Sequence, residues 1–254
     1  MIKTAIILAG GLGTRLRSAV ADLPKCMAPV DGLPFIRFVI GYLKKEGIEN
    51  FIFSLGYKSE AIIHYTDANY KDLHKKYVIE TKPLGTGGAI KAACKEVEEK
   101  NVIVVNGDTL FTININQLSQ FHETQAADCT IALKEMQDFD RYGAVELNSD
   151  NSIKAFKEKQ FCKKGTINGG VYALAVSSLL TDEYPEVFSF EKEWLEKNTG
   201  IKKLFGVIYD DYFIDIGIPE DYQRFQDDYS PIPGQNKQPV NSNTTEIFLK
   251  GLTA

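Results

Sequence analysis

Short, continuously apolar runs alternate along this chain with segments whose apolar residues recur every three or four positions. Lys3–Leu8 is one such run, ended by glycines, and others lie at Asn50–Ser54, Tyr77–Thr81, Asn101–Asn106 and Asp128–Leu133. Runs of this kind suit strands buried on both faces of a parallel sheet. Between them, Phe35–Gly47 places Phe35, Phe38, Val39, Tyr42 and Leu43 on one helical face and stops at Gly47, a favourable residue just past a helix end. Ser59–Tyr65, Gly87–Glu99 and Asn116–Thr124 carry the same helical pattern. Strand and helix alternating at this length predict crossover units, hence an α/β fold with a mostly parallel sheet flanked by helices.

After about Ala126 the texture changes. Gly143–Leu147 and Ile153–Phe156 read as two strands joined by a polar turn, and Thr166–Leu174 as a further strand. Ser177–Leu180 and Phe190–Lys197 look helical, Leu204–Tyr209 and Tyr212–Asp215 look like short strands, and Pro219 opens a helix over Glu220–Phe225. This half reads as a smaller mixed lobe whose last pieces return to the sheet. From Ser230 the apolar pattern is lost among Pro, Gln, Asn and Ser, so residues 229–254 are expected to form a loosely ordered tail. Within it, Glu246–Leu249 is an apolar patch that fits either docking or a partner contact. No 20–50-residue period repeats, which excludes a solenoid.

Composition narrows the classes. The chain has 254 residues, is 44% hydrophobic and 25% charged, and carries a formal net charge of −5. It can bury a real core, and it lacks the basic balance of a nucleic-acid binder. No apolar run approaches the ~18 residues of a membrane span. The apolar start is followed at once by Gly10-Gly11 with no cleavage site behind it, so no leader peptide is expected. Cys26, Cys94, Cys129 and Cys162, with His64, His74 and His122, are scattered without zinc spacing. Reduced cysteines in a cytoplasmic protein are the plain expectation.

The densest chemical signal follows the first strand. Gly10-Gly11-Leu12-Gly13-Thr14-Arg15-Leu16 is a glycine-rich turn at a strand's carboxyl end, where backbone N–H groups can converge on phosphate oxygens. It is not a P-loop, having no Gly-Lys-Ser/Thr ending, and Leu16 stands where a dinucleotide fingerprint needs its last glycine. Arg15 offers a planar fork and Lys25 a mobile point charge; each alone also fits a solvated surface cation. Asn106-Gly107-Asp108 ends a buried strand, and an acid emerging there is costly unless used or paired.

Gly10 to Leu16, followed by Pro24-Lys25-Cys26-Met27-Ala28-Pro29-Val30, resembles the signature of sugar-1-phosphate nucleotidyltransferases. The spacer Arg17-Ser18-Ala19-Val20 and Cys26 depart from the family's commonest form. The resemblance covers residues 1 to about 228 and implies the Rossmann-like nucleotide-diphospho-sugar transferase fold. On that reading residues 1–228 form one domain, with 1–126 the nucleotide-binding part and 127–228 the sugar-binding part. Leu8, Ala9, Gly10, Gly11, Gly13, Thr14 and Arg15 would bind nucleotide, joined by Pro83, Gly85 and Thr86 of a second glycine-rich loop and by Gly107. Asp108 and Asp215, the latter in Asp215-Ile216-Gly217, would hold Mg²⁺. Gly143, Glu158, Lys159, Asn168, Gly170 and Glu191 would hold the sugar phosphate. Each also fits an exposed turn or hairpin charge taken singly.

The resemblance implies attack of a sugar 1-phosphate oxygen on the α-phosphorus of an NTP, with pyrophosphate leaving. Arg15, Lys25 and Asp108 would be the catalytic residues. The nucleophile is already an anion, so no general base is needed, in keeping with the lack of histidine in these motifs. Glu80, just ahead of the second loop, is acceptor-only and suits guanine's adjacent N1–H and N2–H₂ donors; it also fits a solvated strand-end acid. The form Leu16-Arg17-Ser18 with Asp22-Leu23-Pro24-Lys25 resembles the branch that makes GDP-D-glycero-α-D-manno-heptose. GTP with that heptose 1-phosphate is therefore the first expectation and mannose 1-phosphate the next. A UTP, dTTP or CTP enzyme is the base-level alternative, and a non-catalytic regulatory homologue or a transferase for a non-sugar phosphate the other classes. No nucleic-acid or membrane partner is expected, and the oligomeric state is open.

Overall fold

The computed structural model describes residues 1–11 and 23–229. A seven-stranded sheet organises it. In chain order its strands are β1 (Thr4–Ala9), β4 (Asn50–Leu55), β5 (His74–Ile79), β6 (Asn101–Asn106), β8 (Cys129–Phe139), β11 (Cys162–Ala175) and β12 (Leu204–Tyr209). Across the sheet the order is β12-β8-β11-β6-β1-β4-β5. The parallel pairs are β1 with β4 and β6, β4 with β5, and β8 with β12. β11 runs antiparallel to both its neighbours and is the one reversed strand of this sheet.

Side chains alternate faces along a strand, and here both faces are dry. Ala5, Ile7 and Ala9 point into a core with Phe35, Phe38, Phe51 and Phe53. Ile6 points into a second core with Ile90, Val102, Val104 and Trp194. That explains why the β1 run is apolar without interruption. Helices α1 (Ile36–Lys45), α2 (Ser59–Asn69), α3 (Gly85–Cys94) and α4 (Ile115–Gln125) follow β-strands as crossovers, and α5 (Val176–Leu180) follows β11. None of the helices among the described residues is long and apolar enough to cross a membrane.

Several boundaries differ from the sequence reading. The helix expected over Gly87–Glu99 begins two residues earlier and ends at Cys94. Lys95, Glu96 and Val97 instead donate to the carbonyls three residues back, at 3.3, 3.0 and 3.2 Å, which tightens the chain out of the helix. The strand expected from Tyr77 starts at His74, because its polar residues lie on the sheet edge and pair with β4 from Asn50 onward. The second half is also less separate than its texture suggests. β8, β11 and β12 all belong to the main sheet, while β9 (Val145–Leu147) with β10 (Ile153–Phe156) stands apart as a two-stranded ribbon.

Two small ribbons were not foreseen. β2 (Pro29–Val30) pairs with β3 (Leu33–Pro34), and β7 (Thr109–Phe111) pairs antiparallel with β13 (Phe213–Asp215). The last helix, α6 (Pro219–Tyr229), follows β13 and packs on the body beside β2. Its Phe225 packs edge-on against Phe35 and Phe38 at 4.9 and 5.3 Å, and its Tyr222 hydroxyl donates to the Pro29 carbonyl. The helix thus runs through Tyr229, the first residue of the tail expected over 229–254, and the rest of that tail, with Glu246–Leu249, lies outside the described residues.

Candidate active site

The carboxyl ends of β1, β4, β5 and β6 meet at one edge of the sheet. Glu80 leaves β5 there and donates its N–H to the Leu55 carbonyl at 2.7 Å, while Gly107 leaves β6 and donates to the Leu8 carbonyl at 2.8 Å. Beside this edge lies a cleft of about 500 Å³ bordered by β6, the β9–β10 ribbon, β11 and the start of α6. Lys25, Asp108, Gly143, Glu158, Lys159, Asn168, Gly170, Glu191 and Asp215, all picked from the sequence, line it together.

Its floor is a three-residue ion cluster. Lys25 sits on a single 3₁₀ turn, Lys25–Met27, which is pinned by the buried side chain of Cys26. Burial pushes the Cys26 thiol up to about 12, so this residue is an inert anchor. The Lys25 ammonium ion-pairs with Asp108 and lies 3.4 Å from Asp215 Oδ1. The β7–β13 ribbon makes this meeting possible, since Asp215 pairs with Thr109 and the Ile216 N–H donates to the Asp108 carbonyl at 3.0 Å. Burial, and then the facing charge of Asp108, raise the Asp215 carboxyl above its ordinary range, with Lys25 opposing. Two carboxylates held this close need a cation.

That donor set fits a hard divalent metal. Both acids reach one cationic atom, Lys25 Nζ, so one ion can serve both. No cluster of three or more His, Cys, Asp or Glu suited to a metal exists among the described residues. Two protein carboxylates, with the other positions left to phosphate oxygens and water, is the way Mg²⁺ is usually held.

The residues expected to bind nucleotide, where described, border the sheet edge. Leu8 and Ala9 end β1, with Gly10 and Gly11 beyond them. A Cβ on Gly10 would lie 2.6 Å from Glu80 Oε1, so the bare glycine is what lets that acid approach. The other Glu80 oxygen accepts from the Leu84 N–H at 2.9 Å, and burial raises this carboxyl against that bond. Pro83 is exposed on the same loop, and Gly85 has φ +71°, a left-handed backbone that also brings it onto the Phe188 carbonyl. Gly13, Thr14 and Arg15 lie outside the described residues.

Where the sugar phosphate is expected, β11 slips register against β8 between Asn168 and Tyr172. Asn168 still pairs with Leu133, Gly169 and Gly170 after it have no partner on β8, and Asn168 and Gly170 both line the cleft. Asn168 is held at both ends of its amide, donating to the Tyr172 hydroxyl and accepting from the Gly170 N–H, each at 2.9 Å. Gly143 faces the Lys157 carbonyl, and Glu158 and Lys159 are exposed on the loop after β10. Glu191 opens a π-helical segment, Phe190–Glu196, capped by Ser189 and anchored by stacking of Phe190 on Trp194 at 5.0 Å. Its carboxylate accepts from the Thr86 hydroxyl at 2.6 Å.

This fold has close counterparts among known proteins. The family model for nucleotidyl transferases matches residues 4–230. The chain belongs to the nucleotidyl transferase family. This nucleotidyl transferase is 49% identical to the D-glycero-alpha-D-manno-heptose 1-phosphate guanylyltransferase of Aneurinibacillus thermoaerophilus, over 87% of this chain and 96% of that one. It is 47% identical to the protein of the same name from Campylobacter jejuni, over 87% and 97%. The crystal structure of HddC from Yersinia pseudotuberculosis complexed with GMP-PN superposes with a TM-score of 0.82 at 36% identity, covering 90% of this chain and all of that one.

The cleft also holds residues that the sequence reading did not pick. Asn106, Lys157, Lys192 and Glu196 line it. Lys192 directly follows Glu191, and Asn106 opens the Asn-Gly-Asp turn, so adjacency was the available signal. Tyr142 precedes Gly143; burial and the nearby Asp215 push its phenol up to about 12, so it keeps its proton at neutral pH. The ion pair of Arg141 with Asp221 left no local trace, since its members are 80 residues apart.

Proposed function

We propose that this nucleotidyl transferase moves a guanylyl group from GTP to D-glycero-α-D-manno-heptose 1-phosphate and releases pyrophosphate. The observation that carries the reading is Lys25 held between Asp108 and Asp215 in a cleft that Lys157, Glu158, Lys159 and Asn168 also line. The names of the two relatives at 47–49% identity, which align over nearly their whole length, supply the base and the sugar.

The chain's own residues would act by positioning and charge neutralisation. Asp108 and Asp215 would hold Mg²⁺. When bound, that ion supplies positive charge against the α-phosphate oxygens. Lys25 would leave the two acids for the phosphates, steering the triphosphate and the sugar phosphate into line. Arg15 would offset charge building on the departing pyrophosphate. Leu8, Ala9, Gly10, Gly11, Gly13, Thr14, Pro83, Gly85, Thr86 and Gly107 would cradle the nucleotide through backbone groups, with Glu80 accepting from the guanine N1–H and N2–H₂. Gly143, Glu158, Asn168, Gly170 and Glu191 would take the sugar hydroxyls, and Lys159 the sugar phosphate.

A matrix of four NTPs against heptose, mannose, glucose and N-acetylmuramate 1-phosphates, with phosphocholine beside them, tests this by pyrophosphate release. Turnover is expected to be fastest with GTP and the heptose phosphate. Faster turnover with any other pair, or none with all of them, overturns the reading.

A further inference from the structure

Asp215 is gripped from two sides. Its Oδ1 faces Lys25 at 3.4 Å, and its Oδ2 faces the Tyr142 hydroxyl at 3.5 Å, the outer limit of a hydrogen bond. The phenol oxygen in turn accepts from Arg141 Nη2 at 3.1 Å. Because a guanidinium only donates, it takes a lone pair of the phenol and leaves the phenol's own hydrogen to point at Asp215.

Arg141 is fixed by more than this one bond. It pairs with Asp221, in the first turn of α6, and its guanidinium lies over the Tyr142 ring, 5.3 Å from the centroid. The Asp221 side chain is 13% exposed, and its other oxygen takes Arg224 at 3.4 Å. The Tyr142 ring meets Phe213, two residues before Asp215, edge-on at 6.2 Å. A donor chain thus runs in one direction, from the guanidinium clasped to the last helix through the phenol to the acid.

We propose that Tyr142 is a positioning residue for Asp215, aimed by a clasp between Arg141 and Asp221. This rests on the reading of Asp108 and Asp215 as the metal-holding pair. A carboxylate that rotates freely presents either oxygen to a cation. A donor on Oδ2 leaves Oδ1, the oxygen already turned toward Lys25, as the one that meets the metal. The clasp also ties that orientation to α6, whose Tyr222 holds the strand beside Lys25. Lys25 and Asp215, neighbours on the floor, are then both tied to one helix.

The test titrates Mn²⁺ into the full chain in the presence of a non-hydrolysable GTP analogue, following free Mn²⁺ by electron paramagnetic resonance. Tyr142→Phe, which keeps the ring, is expected to weaken Mn²⁺ binding about tenfold, as loss of a hydrogen bond to a ligating group commonly does. Asp221→Asn is expected to shift it in the same direction, at least about threefold on the same ground. In turnover, the half-saturating Mg²⁺ concentration should rise in parallel while KM for the sugar 1-phosphate stays within about twofold. Mn²⁺ affinity within about twofold of the parent in Tyr142→Phe overturns the proposal, as does an equal rise in sugar KM and metal requirement. Should Asp221→Asn fail to fold, Tyr142→Phe decides alone. A parent chain that binds no Mn²⁺ with nucleotide overturns the metal-site reading and this proposal with it. A parent that binds Mn²⁺ beside an unaffected Tyr142→Phe overturns only the positioning role.

Discussion

The Thr86 hydroxyl donates to the Glu191 carboxylate at 2.6 Å while accepting from the Phe190 N–H at 2.9 Å. One side chain on the loop proposed to bind nucleotide therefore holds the start of the segment proposed to face the sugar. Thr86→Val removes both bonds with little change of shape. It is expected to raise KM for GTP and for the sugar 1-phosphate together, each several-fold, and to lower stability by about 0.5–1.5 kcal/mol. Steady-state kinetics with each substrate varied in turn check this, and a rise in one KM alone would separate the two functions.

Lys25 is the cation common to both acids of the floor. Lys25→Met keeps the stem and removes the charge, and turnover at saturating substrate is expected to fall about 10²–10³-fold. Near-parent turnover would show that the charge is not used. The variant's thermal transition should stay close to the parent's in magnesium, because the ion replaces the lost charge between the acids.

Glu80 offers one oxygen to the Leu84 N–H and keeps the other toward Gly10. Glu80→Gln can still satisfy Leu84 but can no longer accept from two guanine donors at once. A charged hydrogen bond is worth about 1.5–3 kcal/mol, so kcat/KM for GTP should fall roughly 10- to 100-fold. The value for UTP should change far less. Equal losses for the two nucleotides would remove Glu80 from base selection.

His122 is buried, with Nδ1 3.1 Å from the Thr130 hydroxyl and Nε2 3.3 Å from Asn101 Oδ1. Burial pulls its pKa down to about 4, whereas the unfolded chain takes the proton near 6.5. Between these values the unfolded state binds more protons, so stability rises with pH. This contribution is whole above about pH 6.5 and is lost as pH falls toward 4, by about 2 kcal/mol at pH 5. Urea unfolding at pH 7 and pH 5 measures it, and His122→Gln should flatten the difference.

The strands of the first half and the second glycine-rich loop were legible because each is written in adjacent residues. An unbroken apolar run such as Ala5-Ile6-Ile7-Leu8, ended by glycines, reads as a strand with two dry faces, and Gly85 marks its turn by itself. The reversal of β11 was not legible, since Thr166–Leu174 reads the same in either direction. Nor was the β7–β13 ribbon, in which Leu110 meets Ile214. That contact joins residues far apart in the chain, and nothing local in either three-residue strand records its partner. The candidate site was thus readable as a set of residues, while the ribbon that brings Asp108 to Asp215 had to be seen.

β11 hydrogen-bonds along one edge to β6 and along the other to β8. The substrate-facing halves are therefore stitched through a shared ladder, with no seam near residue 126 along which they could swing apart. Melting should follow a single transition by calorimetry, and severing the chain at that point should yield two fragments that stay insoluble until mixed. On the proposed reading, the β9–β10 ribbon and the segment around Glu191, which lie outside that weave, are the parts that can be redrawn for a different sugar while the weave stays intact.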